Sequence, residues 1–270
     1  MNRLRRSLPY LGIALFVLVF ALPVIWMVGA AFEDPARAGR GFLPTAPTLD
    51  NIRAVLDDGF LVRLKNTAIV AFGATLLSLA AGFLAAYALA RFRFPKRLDV
   101  LFLLLVLVVK LMPPIVVALP LHALLLDLGL LGSLSGLVLV YQLYTLPFCL
   151  WMLLGFVREV PVEIEAAAAI DGAGLLRRLW HIVLPLALPG LVATLIFALI
   201  LCWNEFLFAL LYLQRPSRFT LPLYVATFIT EDETLWGRLM AIGLLSSLPV
   251  LLVAGYIQKH LLRGFAPGTK

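Results

Sequence analysis

A chain of 270 residues that is 63% apolar and only 14% charged cannot cover a soluble domain with polar surface. It reads as an all-α integral membrane protein in a lipid bilayer. Its formal charge of +7 would suit nucleic acid, but the placement of the charges described below argues for no nucleic-acid partner.

The first apolar stretch runs from about Leu8 to Phe32, behind Arg3, Arg5 and Arg6. It is longer than a signal-peptide core, and at about 1.5 Å per residue it crosses a hydrocarbon layer of about 30 Å, so it reads as an uncleaved anchor. Glu33 to Lys65 is a polar loop punctuated by Pro35, Pro44 and Pro47, with room for a short amphipathic helix. Span two, Asn66 to Ala90, carries Gly73, Ser78, Ala81, Gly82 and Ala85, small residues that let membrane helices pack closely. Span three, Leu98 to Leu121, contains Lys110 and then Pro113-Pro114, and a link over Ala123 to Ser133 leads to span four, Leu134 to Phe156. Spans five and six run from about Leu186 to Leu211 and from Leu239 to His260. Six spans place both termini on one side. Cys149 and Cys202 lie in separate spans and suggest neither a disulfide scaffold nor a metal motif.

Lysine and arginine fix the orientation. The N-terminus, the cluster Arg91, Arg93, Lys96 and Arg97, the central loop with Arg158, Arg177 and Arg178, and the tail hold thirteen of them, against eight on the other side. The richer side is cytoplasmic. The chain is therefore expected to be a multi-pass protein of a bacterial-type cytoplasmic (inner) membrane, with both termini cytoplasmic.

Between spans four and five lies VPVEIEAAAAIDGAGLLRRLWHIVLPLALP, residues 160–189. Pro161 suits the first position of a helix, and Glu163 and Glu165 complement the positive end of its dipole. Ala166 to Ala169 favour helix and leave little bulk, so another surface can approach. Gly172 supplies a turn, and Asp171 is expected to cap a second helix starting near Ala173.

This passage resembles the cytoplasmic loop of permease subunits in binding-protein-dependent ABC importers: Glu-Ala-Ala, three residues, Gly, nine residues, Ile-x-Leu-Pro. Gly172, Ile182, Leu184 and Pro185 keep that spacing, while the signature glutamate falls on Ala166, followed by Ala167 and Ala168. The nearest carboxylate, Glu165, is one residue early, a turn of about 100° on a helix. The resemblance is to the second permease subunit of maltose, trehalose and glycerol-phosphate type importers, and it implies one permease domain over residues 1–270 with a coupling-helix hairpin at 158–182. It also implies alternating access, a second permease subunit, an extracytoplasmic solute-binding protein, and a dimer of nucleotide-binding ATPase subunits that uses ATP and Mg. The residues expected to couple to the ATPase are Glu163, Glu165, Ala167, Ala168, Asp171, Gly172 and Arg177. Backbone shape around Ala167, Ala168 and Gly172, with Asp171 as cap, is expected to outweigh any ion pair from Glu165. Arg177 and Arg178 fit either an acidic rim on the ATPase or the positive-inside bias. In such families the tail, here Gly264 to Lys270, can extend toward the ATPase.

No P-loop, HExxH or GxSxG occurs, so no enzyme activity, bound cofactor or metal is expected of this chain. Lys110 lies about 18 Å from the cytoplasmic end of its span, and Glu205 about 28 Å into span five. Charges at such depths are expensive and mark function by default. Lys110 fits either the solute path or a structural role on carbonyls freed by Pro113-Pro114. Trp203-Asn204-Glu205-Phe206 resembles a stretch that lines the path in sugar-importer permeases, which assigns Trp203, Asn204 and Glu205 to the path with Lys110; a tryptophan anchor with a snorkelling glutamate is the plainer reading. A different class of protein, an ion-coupled secondary transporter using Lys110 and Glu205, would move solute without an ATPase.

Overall fold

The computed structural model describes residues 2–39, 41–229 and 235–264. In chain order the helices are α1 (Asn2–Ala31), α2 (Asp50–Asp57), α3 (Phe60–Arg91), α4 (Leu98–Leu111), α5 (Pro114–Asp127), α6 (Leu134–Glu159), α7 (Val162–Ile170), α8 (Leu175–Arg178), α9 (Leu184–Trp203), α10 (Leu207–Tyr212), α11 (Leu221–Ala226) and α12 (Trp236–Gly264). One π-helical turn, Leu179–Val183, joins α8 to α9. Tyr10–Ala31, Phe60–Arg91, Leu134–Glu159, Leu175–Trp203 and Trp236–Val253 are long and apolar enough to cross a membrane. Pro95–Leu111 with Pro114–Asp127 makes a sixth span if the bent pair is counted as one.

Two expectations about spans need correcting. Span three is broken, with its halves at 99°. Neither Pro113 nor Pro114 has an N–H for the carbonyl four residues back, and each disfavours helix in the residue before it. Met112 and Pro113 are accordingly extended, with ψ of 131° and 128°. The second half then stays helical to Asp127, into the first part of the expected link. Span five stops at Trp203 instead of Leu211, and α10 starts afresh at Leu207. Pro147 and Pro189, each without a second proline beside it, lie inside α6 and α9 without ending them.

The chain divides into two compact bodies, residues 1–64 with 224–251, and residues 65–223 with 252–270. In the first, the loop after α1 is tied by Glu33. Its carboxylate accepts from the amides of Thr45 (2.5 Å), Ala46 (2.8 Å) and Asp34 (3.0 Å) and from the Thr45 hydroxyl (3.1 Å). The Thr45 amide foremost, with the other donors and against the opposing effect of burial, holds this carboxyl below its ordinary range. Asn51 of α2, 1% exposed, donates to the carbonyls of Ala31 and Glu33. Gly237 gives it room, since a Cβ there would lie 2.4 Å from the Asn51 side chain. α2 is the short amphipathic helix for which the loop has room.

The second body is built on α3, α6 and α9. The small-residue face of α3 meets α6 closely: a Cβ on Gly82 would lie 3.0 Å from that of Cys149, and the Ser78 hydroxyl donates to Gln142 at 2.6 Å. Gly190 of α9 packs against the Phe156 ring in the same way. Lipid offers no hydrophobic drive between helices, so such close contact is what holds them. Beyond these contacts lies a buried cluster that includes Phe83, Tyr87, Leu153, Val157, Leu179 and Val183.

Candidate functional site

The central passage folds as two short helices, α7 and α8. Pro161, with φ −59° and ψ 127°, stands just before α7, one residue earlier than the first helical position. Glu165 is the single buried residue of α7, at 3% exposure, while Glu163, Ala166, Ala167 and Ile170 are exposed and Ala168 is half-buried. α7 closes in a left-handed turn at Gly172, φ +84°. There the Gly172 amide donates to the Ala169 carbonyl at 3.1 Å and the Ala173 amide to the Ala168 carbonyl at 2.9 Å, satisfying two carbonyls that the helix end leaves free.

Asp171 does not cap the second helix. It closes α7, with φ −73° and ψ 6°, whereas α8 is preceded by Gly174 and has no side-chain cap. The Schellman turn at Gly172 needs its own residues before the next helix opens, which moves α8 out of reach of Asp171. The exposed Arg177 lies in the last turn of α8.

Glu165 points the other way from that exposed surface. Arg91, the last residue of α3, donates from Nε to its Oε1 at 2.5 Å, and the Tyr87 hydroxyl donates to Oε2 at 2.9 Å. The Nη2 of Arg91 reaches the carbonyls of Val157 (3.1 Å) and Val160 (2.7 Å) at the end of α6. One guanidinium thus joins α3, α6 and α7. The paired side chains are 13% and 4% exposed, so both charges have lost most of their water. Only good geometry and further hydrogen bonds offset that loss, and all of these are present. Glu165 thus makes an ion pair within the chain itself. The shift of one position from Ala166 to Glu165 turns the carboxylate from the exposed face into the bundle.

Arg91 and Tyr87 were not singled out by sequence reasoning, which placed Arg91 in the topological cluster. The signal available was their spacing: residues four apart share one helix face, so a tyrosine and an arginine end the apolar span pointing the same way.

The expected path residues separate, Lys110 at the break in span three and the others at the end of α9. Lys110 is exposed in the last turn of α4, with Nζ 5.9 Å from the Phe148 ring centroid, within reach of a cation–π contact. Asn204 ends α9, its Nδ2 donating to the Ile200 carbonyl at 2.8 Å. Glu205 caps α10, accepting from the Phe208 amide at 2.8 Å and the Ala209 amide at 3.3 Å. Trp203 is 7% exposed, so its ring packs inside and does not serve as a lipid-facing anchor. Among the described residues no ion pair joins Lys110 to Glu205. Tyr141 and Tyr144 of α6 bury their hydroxyls beside Glu205, and Tyr144 stacks on Phe208 with centroids 6.2 Å apart. The expected reach of the tail, Gly264 to Lys270, toward an ATPase falls almost wholly on residues 265–270, which lie outside the described residues.

Comparison with known proteins gives full-length likenesses. The chain is 34% identical to the trehalose/maltose transport system permease protein MalG of Thermococcus litoralis, over 98% of this chain and 97% of that one. It is 32% identical to the diacetylchitobiose uptake system permease protein DasC of Streptomyces coelicolor, over 96% and 94% of the two chains. Among solved structures, a chain of a bacterial ABC transporter involved in import of the polysaccharide alginate superposes with a TM-score of 0.76 at 22% identity, covering 96% of both. That match shows the fold. The family model for binding-protein-dependent transport system inner membrane components matches residues 78–266, a stretch that holds the hairpin, the buried ion pair and the break in span three. By these likenesses the chain belongs to the family of binding-protein-dependent transport system inner membrane components.

Proposed function

We propose that this chain forms half of the translocation path of an ATP-driven importer for a sugar or related solute and works by alternating access beside a second permease subunit. A dimer of nucleotide-binding subunits, which hydrolyse ATP with Mg, docks on residues 158–182, and an extracytoplasmic binding protein delivers the solute. The observation that carries this reading is the likeness over nearly the whole chain to permeases named for trehalose, maltose and diacetylchitobiose transport. The hairpin supports it: Glu163, Ala167, Gly172 and Arg177 are exposed together with Ile170, 87% exposed, on two short helices. Asp171 and the half-buried Ala168 complete that surface. Orientation rests on the basic residues, which put the hairpin and both termini in the cytoplasm of a bacterial-type cell. Lys110, Trp203, Asn204 and Glu205 belong to the path in this reading, because Lys110 stands beside the break in span three and the other three stand where α9 ends, both places where backbone groups are freed.

An ion-coupled carrier is not favoured, since the relatives named above are permeases of transport and uptake systems. The test is reconstitution with the partner subunits and labelled maltose or trehalose, with cross-linkers placed at Ala167 and Gly172. Uptake that requires ATP, with cross-links to the ATPase, is expected. Uptake that persists without ATP, or cross-links that never reach the ATPase, would overturn the reading.

A further inference from the structure

We propose that Arg91 and Tyr87, which together grip Glu165 where the ends of α3 and α6 meet α7, are the positioning residues that carry movement of the docked hairpin into the membrane-spanning helices. This rests on the hairpin being the ATPase docking element. Three observations support it. Glu165 is the only buried residue of α7, and the alanines around it present no bulk with which a bundle could hold the helix. The pair is buried on both sides, its side chains 13% and 4% exposed, so neither charge can fall back on water. Arg91 also takes up the carbonyls of Val157 and Val160, so one side chain fastens α6 as well as α7.

The chemistry of the contact makes it a stiff link. Hydrogen bonds of 2.5–2.9 Å weaken steeply when stretched, and two charges with little water cannot separate by a small distance at low cost. Moving α7 therefore either moves Arg91 or breaks a buried pair. Arg91 is the last residue of a 32-residue helix, about 48 Å long, so displacement at that end is displacement of an entire span. A helix held by general apolar packing could slide on its bed, whereas α7 is pinned at one atom group.

The readout is solute taken up per ATP hydrolysed in proteoliposomes holding the complete complex. Because misfolded chain contributes to neither quantity, the ratio separates transmission from folding. Glu165→Gln is expected to lower it about fivefold or more, and Tyr87→Phe, which removes one hydroxyl and leaves the packing in place, by about twofold. Arg91→Lys keeps the charge but cannot hold Glu165 and both carbonyls at once, and it should fall between them. Arg93→Gln removes a charge from the same helix end and should leave the ratio unchanged. If Glu165→Gln yields no assembled complex, Tyr87→Phe decides. Assembled variants with the wild-type ratio would overturn this proposal alone. A wild-type complex whose uptake ignores ATP would overturn the function proposed above, and this inference with it.

Discussion

Two glutamates of this chain are buried to nearly the same degree, Glu33 at 5% exposure and Glu165 at 3%, and they are held by different means. Glu33 is bound by main-chain amides of its own loop, from residues up to 13 positions away. Glu165 is bound by side chains 74 and 78 positions away, on another helix. A carboxylate wrapped by local amides fastens a loop to itself. One held by distant side chains ties separate elements together, and it depends on every one of them being in place. The first arrangement is a staple; the second is a linkage through which a force can pass.

The largest expected effect breaks the linkage. Arg91→Ala leaves Glu165 buried and unpaired and should cost about 3–5 kcal/mol, read as a fall in the thermal unfolding midpoint of the purified complex together with loss of uptake. Replacing all three partners by apolar side chains (Arg91→Met, Glu165→Leu, Tyr87→Phe) sharpens the comparison. Stability should return to near the wild-type value, since no charge is left unpaired, while uptake per ATP stays low. Recovery of both would make Glu165 a staple like Glu33.

A smaller effect is expected from Gly172→Ala. A methyl group there meets nothing within 4 Å, so its cost is that of a left-handed conformation alone, about 1–2 kcal/mol. Cross-linking of the hairpin to the ATPase should weaken with it, measured as yield at fixed time. A yield equal to wild type would mean that the turn tolerates another backbone shape.

The smallest concerns Glu33 and its pH dependence. Its carboxyl is held below the ordinary range, so the unfolded chain binds its proton more readily than the folded one. The stabilisation is complete above the unfolded value of about 4.3 and is lost as pH falls through the lower folded value. Glu33→Gln should therefore lower the unfolding midpoint at neutral pH and converge on wild type in acid, followed by tryptophan fluorescence. A gap between the two proteins that stays constant down to the lowest pH would assign the loop's stability to something other than this charge.

Much of this architecture is legible from residue order. Apolar runs of the right length locate the spans, because crossing a bilayer is a matter of length and hydropathy. The small residues of span two foretell close packing, realised at Gly82 against Cys149. At Pro113-Pro114 the residue order by itself points only to freed carbonyls. A helix ended there because two successive prolines forbid helix over two successive residues, while a proline alone, such as Pro147, leaves its helix continuous. The stop at Trp203 has no such marker; the amide of Asn204 and the carboxylate of Glu205 satisfy the two helix ends that the break creates.

By itself the order of residues determined what is local or additive: five or six apolar spans and a hairpin turning at Gly172. It also determined that the carboxylate nearest the signature stands one place early. Which way that carboxylate turns was decided by tertiary structure alone. Glu163, two residues before Glu165, is exposed, while Glu165 meets a guanidinium from a helix that ended 74 residues earlier. No local rule can specify such a partner, because it exists only once α3, α6 and α7 converge on one point.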